Sequence, residues 1–300
     1  MDAAPMLDPD LRRTWLFGPG ADRAAHESML DSGADALIVD LEDFTPPERR
    51  GNARELLARF VQDCRDRRCI AAIRIMLWRL TDGTVDLAAA MKAGPDVIAY
   101  PMSDSAGQMR ALDQAITHWE QELNIAAKRT EILPVCETAL GVVEVRTIAA
   151  GSSRIRCALL GAEDLANDLC AERGADAIEL DHARRRFVLE ARAAGIEPID
   201  APYTFSDAEG AVREATLSRR LGYRSKSLVR PAHAGALNAV FTPSADEVTR
   251  ARAIVDGFDA ARARGEDRAL VDGLWVGVPT YRNARRLIER AERLKRISAN

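Results

Sequence analysis

Residues 32–43 read SGADALIVDLED, and this stretch indicates how the rest of the chain folds. Its centre, residues 36–39, is apolar without polar alternation, which is typical of a strand in a parallel sheet that is covered on both faces. Three carboxylates, Asp40, Glu42 and Asp43, follow the apolar run. The stretch therefore predicts a buried strand that ends in a cluster of acidic side chains.

Similar apolar runs recur along the chain, each followed by a segment of helical composition. The predicted strands are 13–17, 36–40, 70–75, 97–100, 132–136, 157–161, 197–200 and 224–228. The predicted helices are 21–32, 47–63, 84–93, 105–125, 141–150, 181–194, 206–221 and 244–264. Eight strand–helix units in about 265 residues are what a (β/α)8 TIM barrel requires. A doubly wound sheet is the alternative, but residues 18–22 lack the G-x-G-x-x-G pattern expected after its first strand.

The unit count divides the chain into two parts. We expect a catalytic barrel in residues 1–265 and a C-terminal extension in residues 266–300. The segment 261–268 is charged, and the extension holds one short apolar run and an amphipathic helix, 281–297. Because this extension lies outside the eight units, we expect it to form a lid or to pack on a neighbouring subunit.

Composition and charge exclude several classes of protein. The 300 residues are 47% hydrophobic and 29% charged with a net charge of −4, which is typical of a globular chain. Basic and acidic residues are mixed, so we expect no nucleic-acid or membrane partner. No run approaches the roughly 18 apolar residues of a membrane span, and the start lacks the features of a signal peptide. A cytoplasmic location is therefore expected.

The cysteines and lysines limit the possible chemistry. The five cysteines, at positions 64, 69, 136, 157 and 170, show no C-x2-C spacing and predict neither a zinc site nor a disulfide framework. A Schiff-base aldolase needs a lysine in its site. Lys226, close to the last predicted strand, is the only plausible imine-forming lysine.

Acidic side chains recur where predicted strands end. Glu137 follows the fifth strand, Glu163 and Asp164 follow the sixth, and Arg74 lies near the end of the third. Barrel active sites form at these ends. Carboxylate oxygens suit Mg²⁺, which usually takes only one or two protein carboxylates. The arginine offers a forked grip on a substrate carboxylate or carbonyl oxygen.

Other conspicuous residues are expected to have structural roles. Asp200 ends the seventh predicted strand, and an isolated carboxylate there is expected to cap a helix. Cys136, Trp78 and Trp119 are expected to pack in the protein interior rather than to bind substrate.

Several motifs follow one another along the chain. They are WLFGPG (15–20), SGADALIVDLED (32–43), IRI (73–75), CETALG (136–141), LGAEDL (160–165), IDAPY (199–203) and FTPS (241–244). In combination they resemble the citrate lyase β-subunit-like family of the HpcH/HpaI aldolase superfamily, from about residue 12 to about residue 290. The resemblance implies a (β/α)8 barrel that assembles as a trimer or hexamer. It also implies Mg²⁺-dependent cleavage or formation of a carbon–carbon bond in an acyl-CoA thioester or a related oxo-acid.

The resemblance implies roles for individual residues at the strand ends. Glu137 and Asp164 match the family's metal-binding carboxylates, and Arg74 matches its catalytic, substrate-binding arginine. The acidic pair that holds metal-bound waters is matched by Glu42 and Asp43, and Asp40 is expected to lie behind the metal ligands with them. The loop that helps to hold the CoA moiety is matched by Gly18, Pro19 and Gly20.

Three positions depart from the family pattern. Met102 stands where many members have lysine, and Arg230 replaces a common histidine. Gly277 stands where lyase and synthase members carry an acid/base aspartate that reaches a neighbouring subunit's site. Because glycine can neither donate nor accept a proton through a side chain, this third departure bears directly on the reaction.

The sequence therefore predicts an Mg²⁺-dependent carbon–carbon lyase of the oxo-acid-lyase type. Its expected substrate is a short hydroxyacyl-CoA such as malyl-, citramalyl- or citryl-CoA. One alternative is an acyl-CoA thioester hydrolase or a lyase on a free oxo-acid. A second is a homologue that binds metal and acyl-CoA without turnover, which Gly277 leaves open.

Overall fold

A closed barrel of eight parallel strands dominates the computed structural model, which describes residues 6–77 and 81–299. The strands are β1 Thr14–Pro19, β2 Ala36–Asp40, β3 Ile70–Arg74, β4 Val97–Tyr100, β5 Glu131–Cys136, β6 Cys157–Leu160, β7 Glu197–Tyr203 and β8 Ser225–Leu228. Each strand pairs with the next, and β8 returns to β1 with Lys226 opposite Thr14. The predicted (β/α)8 barrel is confirmed.

Helices follow the strands along the chain. They are α1 Arg23–Leu30, α2 Arg50–Asp66, α3 Thr81–Ala93, α4 Ala106–Glu122, α5 Ala139–Val143, α6 Val145–Ala149, α7 Glu163–Asp168, α8 Asp181–Ala193, α9 Ala208–Leu221, α10 Ala234–Phe241, α11 Ala245–Ala263 and α12 Val278–Ala299. The helix predicted at 141–150 is divided at Glu144, which lies between α5 and α6. The six-residue α7 was not predicted, because so short a helix shows too little of the 3.6-residue apolar period.

Alternating strand positions fill the barrel interior with apolar side chains. These are Trp15, Phe17, Ala36, Ile38, Ile70, Ala72, Val97, Ala99, Leu133, Val135, Cys157, Leu159 and Ile199. Successive side chains of a strand point to opposite faces, so the residue two positions further on shares the interior face. The same alternation places Asp40, Arg74 and Glu137 at the carboxyl end of the interior.

The opposite face of β7 and β8 carries a buried charged cluster. The Asp200 carboxylate accepts hydrogen bonds from Arg184 Nε (3.0 Å) and Nη2 (2.7 Å) of α8, and from Lys226 Nζ (2.8 Å). Lys226 also donates to Glu214 of α9 at 2.6 Å. Burial alone would raise the pKa of Asp200, but the charges of Lys226 and Arg184 outweigh it and hold the pKa well below its usual value.

This cluster settles two expectations from the sequence. The prediction that Asp200 caps a helix is wrong, because Asp200 lies within β7 and pairs with two buried cations. Lys226 is fully buried and holds two carboxylates on the helix-facing side of the barrel wall. It is therefore not placed to form an imine with a substrate.

The contacts divide the chain into two compact units, residues 1–238 and 239–300. The second unit therefore includes α11, which the sequence assigned to the barrel part. In this unit, the Phe258 ring of α11 lies 4.8 Å from the Tyr281 ring of α12. Strands β9 Ala269–Val271 and β10 Leu274–Val276 form an antiparallel hairpin. Its turn, Asp272-Gly273, has positive φ at both residues, which is the signature of a two-residue hairpin loop.

Two further observations concern helices and tryptophans. In residues 6–77 and 81–299, no helix is both long and apolar enough to cross a membrane.

Trp119 is half-buried on α4 beneath the ammonium of Lys92, 5.8 Å from the ring centre, in agreement with a packing role. Trp78 lies outside the described residues.

We expect the substitution Asp200→Asn to destabilise the protein strongly. It leaves Arg184 and Lys226 buried with one carboxylate fewer, and breaking a buried ion pair on one side costs about 3–5 kcal/mol. Urea unfolding at neutral pH measures the change. The control is Asp31→Asn, because Asp31 pairs with Arg67 while 68% exposed, and we expect less than about 1 kcal/mol there. Equal losses in the two variants would contradict a stabilising role for the cluster.

Candidate active site at the carboxyl end of the barrel

Arg74, the last residue of β3, is the central side chain of the candidate site. Its Nε donates to Asp40 Oδ1 at 2.8 Å and its Nη2 donates to Asp40 Oδ2 at 2.6 Å, which makes a forked pair. Its Nη2 also donates to Asp43 Oδ2 at 3.0 Å, while Nη1 lies 3.0 Å from Glu42 Oε2. Burial would lower the pKa of Arg74, but the charge of Asp40 outweighs it and raises the pKa above its usual value. Arg74 is therefore a permanent cation among carboxylates.

Asp40 fixes the turn that carries the other acidic residues. Its Oδ1 accepts the backbone N–H of Glu42 and its Oδ2 accepts that of Phe44, both at 2.9 Å. The Asp40 carbonyl accepts hydrogen bonds from Thr45 Oγ1 at 2.6 Å and from Gly20 N at 3.1 Å. Aspartate commonly organises turns in this way. With both oxygens of its carboxylate engaged, Asp40 positions Arg74 and the turn rather than a ligand.

The residues 18–20, expected to help hold CoA, lie against this turn. A Cβ added to Gly18 would lie 2.2 Å from Met29 Sδ, and one added to Gly20 would lie 3.0 Å from the Asp40 carbonyl oxygen. Close packing therefore accounts for both glycines, and the Gly20 N–H is already bonded to Asp40. Their contact with CoA stays a prediction.

Glu137 follows β5 and is almost fully buried. Its Oε1 accepts the backbone N–H of Met102 at 2.8 Å, and its Oε2 lies 4.0 Å from Arg74 Nη1. A Cβ on Gly161 would lie 2.4 Å from Glu137 Cβ, so glycine at that position makes room for the glutamate. Burial raises the pKa of Glu137 to about 7, against the lowering effects of Arg74 and the Met102 N–H, and the charge of Asp164 adds to the rise.

Met102 has a backbone conformation that side chains seldom adopt. Its φ is +45°, in the left-handed region, which costs a residue with a Cβ free energy and which recurs at functional sites. In this conformation its N–H points to Glu137 Oε1. One of the three positions at which the chain departs from the family pattern therefore holds Glu137 through its backbone N–H.

Asp164 is exposed in the first turn of α7, directly after β6. Ala162 occupies the N-cap position of this helix without a side-chain cap, and Asp164 lies inside the first turn rather than at the cap. Its pKa is raised by partial burial and by the nearby charge of Asp43, against the lowering effect of Arg74. The structure thus brings Asp164, Glu137 and Asp43 within electrostatic reach of one another.

A clamp that the sequence did not reveal holds the segment of Asp164. The neighbouring Glu163 accepts hydrogen bonds from Thr204 Oγ1 at 2.8 Å and from Arg173 Nε at 3.2 Å. Arg173 Nη2 also donates to Thr204 Oγ1 at 3.3 Å, so it joins the segment after β6 to the one after β7, and it pairs with Glu179 within its own segment. These residues lie far apart in the sequence and share no periodic pattern, so no sequence signal points to the clamp.

The donor set fits a hard divalent cation. The carboxylates of Glu137 and Asp164 offer oxygen ligands, and Glu42 Oε2 is a buried oxygen that accepts no hydrogen bond from the described residues. Among those residues, no group of three His, Cys, Asp or Glu side chains could hold a metal alone. Mg²⁺ commonly takes one or two carboxylates and completes its shell with water and substrate, whereas zinc sites are built from three or four protein ligands.

The balance of charge also favours a cation. Among the described residues, five carboxylates, those of Asp40, Glu42, Asp43, Glu137 and Asp164, lie around one guanidinium, that of Arg74. Burial raises the pKa of Glu42 to about 8, and the carboxylates around it add to the rise against the effect of Arg74. Without further positive charge, the site therefore retains protons near neutral pH.

Comparison with known proteins gives a consistent result. Residues 13–231 match the sequence model of a family described as HpcH/HpaI aldolase/citrate lyase. The chain is 32% identical over 283 residues to citrate lyase subunit beta of Haemophilus influenzae, which covers 94% of this chain and 97% of that protein. It is 31% identical over 318 residues to L-malyl-CoA/beta-methylmalyl-CoA lyase of Cereibacter sphaeroides, which covers 97% of this chain and 98% of that protein.

A solved structure is also similar. The CitE protein of Mycobacterium tuberculosis, crystallised with magnesium, acetoacetate and coenzyme A, superposes with a TM-score of 0.75. The two chains are 25% identical, and the match covers 93% of this chain and 98% of that one. The similarity therefore extends through both compact units of the chain.

The raised pKa of Glu42 predicts how stability depends on pH without metal. With a pKa of about 8, folded Glu42 keeps a proton that the unfolded chain releases above about pH 4.3. Folding therefore takes up a proton between those values, and the free energy of unfolding falls as the pH rises through this window. In Glu42→Gln we expect a shallower fall and a gain on the order of 1 kcal/mol at about pH 9.

Urea unfolding in the presence of a chelator, at several pH values from about 5 to 9, tests this prediction. The control is Glu27→Gln, because the Glu27 side chain is 64% exposed and stays in solvent in both states. Parallel pH curves for the wild type and Glu42→Gln would contradict the raised pKa.

Proposed function

The chain belongs to the HpcH/HpaI aldolase/citrate lyase family, and on that premise we propose that it is a magnesium-dependent carbon–carbon lyase. Its proposed substrate is a short hydroxyacyl-CoA such as malyl-, citramalyl- or citryl-CoA. The observation that carries the proposal is the excess of carboxylates over the guanidinium of Arg74 among the described residues at the carboxyl end of the barrel. Relatives that act as citrate and malyl-CoA lyases support the reaction class.

The proposed reaction builds up negative charge on an oxygen atom of the substrate. When the carbon–carbon bond of a β-hydroxyacyl thioester breaks, the hydroxyl loses its proton and becomes a carbonyl. The electron pair of the bond passes to the thioester fragment as an enolate, which then takes up a proton. Positive charge placed beside the developing oxyanion lowers the barrier to this step.

The residues of this chain divide the work in the following way. Glu137 and Asp164 hold the Mg²⁺, and Glu42 and Asp43 orient waters around it. A bound Mg²⁺ supplies Lewis acidity and charge next to the substrate oxygens. Arg74, held by Asp40, directs Nη1 to the space between Glu42 and Glu137 and binds a carboxylate or enolate oxygen of the substrate.

Assembly is part of the proposal. We expect a homo-oligomer, a trimer or a hexamer, in which the C-terminal extension packs on a neighbouring subunit. The exposed side chains of Leu270, Leu274 and Trp275 on the terminal hairpin support an interface, because large apolar groups seldom remain together in solvent.

Gly277 supports a second candidate function. A Cβ at this position would meet only Pro279 Cδ, at 3.9 Å, so local packing does not require glycine. Steric crowding therefore does not explain why aspartate is absent at position 277. The glycine favours a reaction that does not need this acid/base. Thioester hydrolysis, cleavage of a free oxo-acid and metal and acyl-CoA binding without turnover are the alternatives.

One experiment separates the acyl-CoA lyase, the hydrolase and the homologue that binds acyl-CoA without turnover. The purified protein with Mg²⁺ is given malyl-, citramalyl- and citryl-CoA, and products are followed by liquid chromatography and mass spectrometry. A lyase releases acetyl-CoA and an oxo-acid, whereas a hydrolase releases free CoA and the intact hydroxy acid. We expect acetyl-CoA, with loss of the activity in chelator. Free CoA without acetyl-CoA would replace the lyase by the hydrolase, and binding without products would favour the inactive homologue.

The metal assignment is tested by Glu137→Gln. Removing one charged ligand should weaken Mg²⁺ binding at least tenfold, or about 1.4 kcal/mol, as measured by calorimetry. Glu27→Gln is the control, because Glu27 is an exposed residue of α1. Unchanged binding in Glu137→Gln, with normal unfolding, would overturn this assignment.

A further inference from the structure

Two cysteines meet at the turn between α2 and β3. The helix ends in a Schellman motif, in which Arg68 has a φ of +58°, Cys69 N donates to Cys64 O and Arg68 N donates to Arg65 O, both at 3.1 Å. In this motif the residue after the left-handed position lies against the residue five places before it. Both of these positions are cysteines here, so the turn itself brings the thiols together.

The two thiols differ in exposure and in acidity. Cys64 is fully buried, whereas Cys69 is half-buried and reaches solvent. The Cys69 thiol donates to the Cys64 carbonyl oxygen at 3.6 Å. Interaction with the Cys64 side chain lowers the pKa of Cys69, with a smaller contribution from Arg67, and the same interaction together with burial raises the pKa of Cys64. The accessible sulfur is therefore the more nucleophilic one.

The backbone already meets the main geometric requirement of a disulfide. The 3.1 Å hydrogen bond from Cys69 N to Cys64 O limits the separation of the two Cα atoms to about 7 Å. Cysteines farther apart than this, or with side chains that point away from each other, cannot be bridged without backbone movement, and the side-chain contact between Cys64 and Cys69 meets the second condition. The pair therefore needs little rearrangement to close.

We propose that Cys64 and Cys69 form an oxidation site that a peroxide converts into a reversible disulfide. The Cys69 thiolate attacks the O–O bond of the peroxide, which yields a sulfenic acid and releases water or an alcohol. The Cys64 sulfur then attacks the Cys69 sulfur, the S–S bond forms and water leaves. In sum, the peroxide takes two electrons and two protons from the two thiols.

The site lies at the opposite end of β3 from Arg74. Cys69 directly precedes the strand and Arg74 ends it, so oxidation occurs at the amino end of the barrel. There the disulfide joins the last turn of α2 to the start of β3 and shields Cys69 from irreversible oxidation. Because the carboxyl end is unaffected, Mg²⁺ binding should be the same before and after oxidation.

The test uses the full chain treated with hydrogen peroxide, then unfolded in denaturant without reductant, alkylated and examined by mass spectrometry, because buried Cys64 reacts with the alkylating agent only after unfolding. We expect the mass of the wild-type peptide with Cys64 and Cys69 to fall by two hydrogens, because the disulfide forms. Neither cysteine should then be alkylated, and dithiothreitol should restore both thiols. Cys64→Ser should instead carry sulfinic or sulfonic acid at Cys69, which dithiothreitol does not reverse. The control Cys170→Ser removes an exposed cysteine and should still form the disulfide.

A second measurement needs no variant. A trivalent arsenical, which captures two adjacent thiols, should protect both Cys64 and Cys69 of the wild type from alkylation. Over-oxidation of Cys69 while Cys64 remains a thiol would overturn the proposal. Alkylation of both cysteines after peroxide that oxidises Cys170 would overturn it as well.

Discussion

The forked ion pair between Arg74 and Asp40 is the interaction on which the rest of the site depends. Asp40 and Arg74 face each other across neighbouring strands β2 and β3, in one register position. This register brings the pair together at the carboxyl end of the barrel, where each is almost fully buried. Asp40 then organises the turn with Glu42 and Asp43, so a single buried pair sets both the cation and the acidic residues around it.

The pair leaves the site short of positive charge. Both carboxylate oxygens of Asp40 accept hydrogen bonds from Arg74 and from the turn. Glu42, Asp43 and Glu137 therefore have only the remaining N–H groups of Arg74 as a positively charged partner among the described residues. Burial makes this imbalance costly, because desolvated carboxylates either retain protons or need a partner cation. A divalent ion resolves the imbalance without new protein ligands, and this physical need links the barrel geometry to the proposed metal-dependent chemistry.

Much of the fold and part of the site could be predicted from the sequence, and the failures have a common cause. Buried parallel strands are apolar runs, and their ends locate Arg74 and Glu137 without knowledge of contacts. An apolar run does not show which residues of a strand point into the barrel and which point to the helices. Asp200 follows the inward-facing Ile199 and therefore points to the helices, where it forms ion pairs instead of capping a helix. The cysteine pair was missed because its turn has Arg68, and not the usual glycine, at the left-handed position.

The two ends of the barrel solve the problem of buried charge in opposite ways. At the amino end, Arg12 is fully buried and donates from both Nη atoms to Glu131, at 2.6 and 2.9 Å, and the more exposed Arg156 lies 3.6 Å from the same carboxylate. The protein itself therefore neutralises the buried carboxylate at this end of the interior. At the carboxyl end, Arg74 meets several carboxylates among the described residues, and a bound cation would balance the remaining negative charge. The amino ends of the strands therefore carry ion pairs that stabilise the barrel, whereas the carboxyl ends carry excess negative charge that a ligand can balance. Barrel enzymes generally separate stability and activity between the two ends in this way.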